Sequence, residues 1–165
     1  MSVVADSTAA THKSNGDPDI ATLGMSGYAP YLMNRVIHRY NQTLLARMNA
    51  LGLSVTKMRA LAALAAQDGL TVNELTVHAV SEQSTMSRTL DQMARDGLIA
   101  RRVSEADNRA RRISLTEAGW EAYRQVWPEM HQAERAMFEG VTEQDFEVLM
   151  AVLNRMLDNI RVHKF

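Results

Sequence analysis

Two short amphipathic runs, separated by a few residues, constrain this chain more than any other feature. The first follows Thr71 and carries Val72, Leu75 and Ala79 on one side; the second follows Ser81 and carries Met86, Leu90, Met93 and Ala94. Steps of three and four place each set on one helical face. Thr71-Val-Asn-Glu74 has the form of a capping box, in which the hydroxyl accepts from the N3 amide and the carboxylate reaches back. Ser81 is the expected N-cap of the second helix. Gly97 is its expected stop, since glycine tolerates positive φ. The turn between the two is tight, so the pair is expected to form a helix-turn-helix.

The flanking segments extend the helical pattern. Residues 1–25 are small, polar and without periodicity, and read as a flexible tail. Met33, Ile37, Tyr40, Leu44, Met48 and Leu51 then fall at helical steps, and Gly52 ends them. Ser54 or Thr56 can cap a further helix with Met58, Leu61, Ala62 and Ala65 inward. Leu98–Val103 and Ala110–Leu115 are too short for helices and contain β-branched residues. They fit two antiparallel strands around a polar loop containing Asp107-Asn108. Thr116 can cap a long helix to about Glu139, with a kink expected at Pro128. Thr142 can cap a last helix striped by Phe146, Leu149, Met150, Leu153, Met156, Leu157 and Ile160. The expected fold is mainly α: a winged helix-turn-helix at about 54–116, with a two- or three-stranded β-wing. Dimerisation helices at about 28–51 and 117–162 complete a single domain over 26–165. The last stripe has more apolar residues than a small winged-helix core needs, which points to a homodimer.

Composition narrows the function classes. A hydrophobic fraction of 46% is ample for a core, and the absence of Cys excludes disulfides, thiol sensing and cysteine-ligated zinc. No signal-like apolar segment opens the sequence and no apolar run is long enough to span a bilayer, so a cytoplasmic protein without membrane contact is expected. The five His show no tight pair, so no metal and no cofactor is expected. No GxSxG, HExxH, phosphate loop or carboxylate pair marks an enzyme.

The net charge is −1, so any surface for a polyanion has to be local. Between Gly97 and Thr116 the five arginines Arg101, Arg102, Arg109, Arg111 and Arg112 face only Glu105 and Asp107. On the second helix, the side opposite the apolar face carries Gln83, Ser84, Ser87 and Arg88, with Thr85 beside them. Arg pairs with guanine, Gln with adenine, and Ser or Thr with base edges or phosphates. Such a face at a helix start is by itself an ordinary solvated surface. An arginine-bearing ribbon directly after it makes double-stranded DNA the expected partner, with Arg102, Arg109 and Arg111 as the expected contacts of the ribbon, since arginine in a narrow minor groove meets enhanced negative potential. Asp107 stands two positions from Arg109 and can orient its guanidinium.

Asp107-Asn-Arg109, followed by Leu115-Thr116 and Gly119, resembles the D-x-R…L-T-x-x-G signature of the MarR family of winged helix-turn-helix regulators. Met86-Ser-Arg-Thr-Leu90 and Gly97-Leu-Ile99 agree with it, and the similarity runs from about Tyr31 to Ile160. The resemblance implies a homodimeric repressor on a pseudo-palindromic operator, released by a small aromatic or phenolic ligand. It implies that Arg109 enters the minor groove and that Asp107 holds it. It also implies an effector pocket between the dimerisation helices and the winged domain. Candidate walls here are Tyr31, His38, Arg39, Met58, Trp120, Tyr123 and Trp127. Ordinary core packing is the plainer role for each. The alternatives are a winged helix used for protein contact, or an activator without a small-molecule ligand. A gel shift separates protein contact from DNA binding.

Overall fold

Side-chain caps set most of the helix boundaries. In the computed structural model, which describes residues 19–103 and 111–162, α1 (Ile20–Leu23) starts where the Asp19 carboxylate accepts from the Ala21 amide. A 3-10 turn at Met25–Gly27 precedes α2 (Ala29–Ala50). Ser54 caps α3 (Val55–Ala66) by accepting from the Lys57 amide at 3.1 Å. The capping box of α4 (Val72–His78) forms as expected: Thr71 Oγ1 accepts from the Glu74 amide, and the Glu74 carboxylate accepts from the Thr71 amide at 2.6 Å. Recognition-helix candidate α5 spans Gln83–Arg95. Strands β1 (Ile99–Val103) and β2 (Arg111–Leu115) follow, then α6 (Glu117–Met137), capped by Thr116, and α7 (Glu143–Ile160), capped by Thr142. Helix α6 continues through Pro128.

The chain divides into two units, residues 1–38 and 39–165. The first holds α1, the 3-10 turn and the start of α2, where Leu32, Met33, Val36 and Ile37 are exposed. The second holds the core. Leu44 and Met48 of α2 join Met58, Leu61 and Leu64 of α3, Leu75 of α4, Met86, Leu90 and Met93 of α5, Ile113 of β2 and Val126 of α6. The stripe expected on α2 is therefore split: Leu44 and Met48 are buried, while Met33 and Ile37 are exposed. None of the α7 stripe is buried: Leu149, Met150, Met156, Leu157 and Ile160 are exposed, and Phe146 and Leu153 are half-buried.

The sheet has two strands, paired antiparallel from Ile99↔Leu115 to Val103↔Arg111. A third strand is reduced to one bridge, Leu70↔Ile113, in which the Ile113 amide donates to the Leu70 carbonyl at 2.8 Å.

Two backbone features shape the helix-turn-helix and its junction with α6. Val80, in the turn between α4 and α5, has φ of 48° and is 80% exposed. Its amide donates to Val77 and that of Ser81 donates to Thr76, a helix stop that normally takes glycine. A β-branched residue in this region is strained by about 1–3 kcal/mol. The second feature is Gly119, where a methyl would stand 2.0 Å from the Leu98 carbonyl oxygen. The Thr116 hydroxyl accepts from the Gly119 amide and donates to the Gly97 carbonyl, and the Thr116 amide donates to Leu98. Glycine is needed here for close approach, since the opposing atom is backbone and cannot turn aside. Gly119→Ala is expected to destabilise the chain by more than about 3 kcal/mol through overpacking. Urea unfolding followed by far-UV circular dichroism measures it.

Candidate nucleic-acid interface

Helix α5 is held from beneath and at both ends. Met86, Leu90 and Met93 are fully buried, which turns Gln83, Ser84, Thr85 and Arg88 outward. Ser87 is half-buried. At the C-terminal end, Lys57 Nζ of α3 donates to Asp96 at 2.7 Å and Gln92 donates to the same carboxylate, lowering the Asp96 pKa. Before the N-terminal end, the Arg59 guanidinium bridges the Ala79 carbonyl and Asn41 Oδ1 of α2, fixing the turn that contains Val80.

The N-terminus of α5 differs from expectation. Its N-cap is Glu82 rather than Ser81, and no side chain caps the first turn. The Ser81 hydroxyl instead donates to the Glu82 carbonyl. The physical reason is the left-handed Val80: ending α4 there carries the extended cap conformation one residue further along. Side chains thus leave the first amides of α5 open, as a phosphate-binding helix end requires.

The ribbon distributes its arginines unevenly. Arg101 pairs with Asp91 of α5 at 2.6 Å. Arg112 donates to the Gly69 carbonyl at 2.9 Å and lies 3.5 Å from Glu74. Arg102 and Arg111 are exposed. Asp107 and Arg109 lie outside the described residues. Gln83, Ser84, Thr85, Arg88, Arg102 and Arg111 are thus all solvent-facing on α5 or on the ribbon that follows it. The two internal ties, Arg101–Asp91 and Arg112–Gly69, are contacts that sequence reasoning missed; each joins elements whose separation depends on turn geometry.

The expected effector residues are dispersed. Trp120, Tyr123, Trp127 and His131 form a ladder along α6, with successive ring centroids 6.0, 6.1 and 5.7 Å apart. His131 also lines an open groove of about 780 Å³ with Pro128, Gln132, Arg135 and Phe138. His131 and Arg135 were not among the sequence candidates, although they continue the helical step from Trp127. Met58 is a core residue at 1% exposure. Arg39 is exposed on α2. In the first unit, Tyr31 is half-buried and accepts from Arg35 at 3.0 Å, while His38 is exposed. Among the described residues, no helix is long and apolar enough to cross a membrane, and no group of three metal-binding side chains converges.

Comparison with known proteins places this geometry. A family model described as "MarR family" matches residues 51–110. The HTH-type transcriptional repressor IacR of Pseudomonas putida is 27% identical over 154 residues, covering 93% of this chain and 90% of that one. A transcriptional regulator of the MarR family from Silicibacter pomeroyi, of known crystal structure, is 49% identical, with a TM-score of 0.84 over 90% of this chain and 100% of that chain. Bordetella bronchiseptica BpsR, whose DNA binding is regulated by 6-hydroxynicotinic acid, shares the fold at 20% identity. Its TM-score is 0.69, with 81% of this chain and 95% of that one covered.

The capping box beside Arg112 yields a pH dependence. The Glu74 pKa lies below its usual 4.5, mainly because the Thr71 backbone N–H bonds the carboxylate; partial burial opposes this, and the Thr71 side chain, Arg112 and His78 add to it. A depressed carboxyl pKa contributes stability above the unfolded value and loses it as pH falls through the folded value. The wild-type melting temperature should therefore drop as pH falls below that usual value of 4.5. Glu74→Gln should start lower at neutral pH and lose less over the same interval. Parallel acid slopes in thermal melts of the two proteins would refute this.

Proposed function

This chain belongs to the MarR family of transcriptional regulators, and from that premise we propose that it is a homodimeric repressor that binds a pseudo-palindromic DNA operator. The observation that carries the reading is the exposed face Gln83–Arg88 on a helix braced from three sides, with an arginine-bearing ribbon directly after it. The helix presents Gln83, Ser84, Thr85, Ser87 and Arg88 to the major groove. Arg102 and Arg111 lie toward the flanking backbone, and Arg109, oriented by Asp107, enters the minor groove. The partner is double-stranded DNA, and the place of action is the cytoplasm.

The unburied α7 stripe supports the dimer. Leu157 and Ile160 are 59% and 76% exposed, an arrangement that water disfavours over a row of such residues. A second copy covers this surface, and a two-fold axis sets the recognition helices about 34 Å apart, one DNA turn.

The effector is a small aromatic or phenolic molecule. The ladder Trp120–Tyr123–Trp127–His131 supports this class, with the open groove beside it. The IacR relative is a repressor, and the BpsR fold responds to an aromatic acid. Release follows from population shift: a ligand that prefers the dimer with misplaced helices removes it from DNA in proportion to that preference.

Selection of duplexes from a randomised pool, followed by a gel shift across salt, tests the reading. Affinity should fall steeply with salt as phosphate contacts release counterions. Salt-independent protein binding without any DNA shift would reject it. Arg88→Ala should cost about 1–3 kcal/mol and relax sequence preference if the guanidinium reads a base edge. Arg109→Ala should weaken binding to the selected duplex while gel filtration still shows a folded dimer. Unchanged affinity would reject the wing-tip role.

A further inference from the structure

Asp91 is an acid on the helix that, in the reading above, faces a polyanion. It falls one turn beyond Ser87 and Arg88 on the same side of α5. Its side chain is 52% exposed, so its charge is open to solvent on that side. A carboxylate there repels phosphate and lowers affinity unless it does something else. What it does in the structure is accept from Arg101 of β1 at 2.6 Å.

The register shows what this contact holds. Arg101 stands opposite Ile113 in the ribbon and shares a face with it. Ile113 is fully buried, so this is the face turned to the core and to α5. Arg112 is on the other face and is bonded to the Gly69 carbonyl, beside the Leu70↔Ile113 bridge. The ribbon is therefore gripped on one face by the recognition helix and on the other by the turn before α4. Both grips sit at strand positions within the described part of the ribbon, Arg101 on β1 and Arg112 on β2.

We propose that Asp91 and Arg101 are positioning residues that set the wing relative to the recognition helix, so that DNA affinity depends on the Asp91 charge despite its sign. The proposal rests on the DNA-binding reading. Exposed ion pairs add little to global stability, so the pair acts on geometry rather than on folding. Its ten-residue span crosses the turn at Gly97, which is the joint between helix and ribbon.

Simple electrostatics and positioning predict opposite signs for one substitution. Removing a negative charge that faces DNA tightens binding if charge alone matters. If Asp91 positions the wing, Asp91→Asn weakens it, by about five- to tenfold. The probe is a fluorescein-labelled duplex enriched from a randomised pool by the wild-type dimer, read by anisotropy at several salt concentrations. Arg101→Gln should weaken binding to the same extent, and D91N/R101Q should be no worse than either single variant. Thermal midpoints of all three should stay close to wild type, which separates positioning from misfolding. Asp91→Asn binding as tightly as wild type, or tighter, overturns the proposal alone. A double variant whose losses multiply overturns it too, since that means Arg101 touches phosphate independently. If the wild type enriches no duplex, the DNA-binding reading fails and the proposal fails with it.

Discussion

The approach of the α6 backbone to the Leu98 carbonyl at Gly119 is the contact on which the interface geometry depends. It lets Thr116 bond to Gly97 and Leu98 at once, and so joins the turn that leaves α5 to the turn that enters α6. The ribbon base, Ile99↔Leu115, closes between these two turns. Recognition helix, ribbon and α6 thereby share one junction, made of backbone and the Thr116 hydroxyl. At the contact itself, the Leu98 carbonyl and the Gly119 backbone have no rotamer freedom with which to absorb a rotation of α6.

Charge is placed with similar restraint. The chain as a whole is slightly acidic, and its cationic character is concentrated on the ribbon. Two of the ribbon arginines are used internally, against Asp91 and against Gly69 and Glu74, while Arg102 and Arg111 are exposed. Arg101 ties the ribbon to α5 and Arg112 ties it to the turn before α4, while Arg102 and Arg111 supply field. Counting all of these arginines as DNA contacts would overstate the number of phosphates neutralised and hence the salt slope.

What was legible in the sequence was local. Ser54, Thr71 with Glu74, Thr116 and Thr142 all cap the helices expected of them, because a cap is decided within four residues. Gly52, Gly97 and Gly140 take positive φ where helices stop. The outward face of α5 followed from periodicity alone. The cap of α5 was missed because Val80 adopts a conformation that its side chain disfavours, and no propensity argument anticipates that. The Arg101–Asp91 and Arg112–Gly69 ties were not legible because they depend on how the Gly97 turn aims β1 and how Leu70 pairs with β2. The resemblance pointed to L-T-x-x-G as a signature; the structure supplies its reason in the Leu98 contact.

The aromatic ladder on α6 also has an optical consequence. The chain contains two tryptophans, and both lie on this helix with Tyr123 between them. Trp127 is 45% exposed, whereas Trp120 is partly covered, so the two indoles emit from different surroundings. The ribbon and α5 contain neither Trp nor Tyr. The tryptophan emission of this protein therefore reports on α6 alone, and a change in it when DNA is added records an event that has reached α6 from elsewhere in the chain.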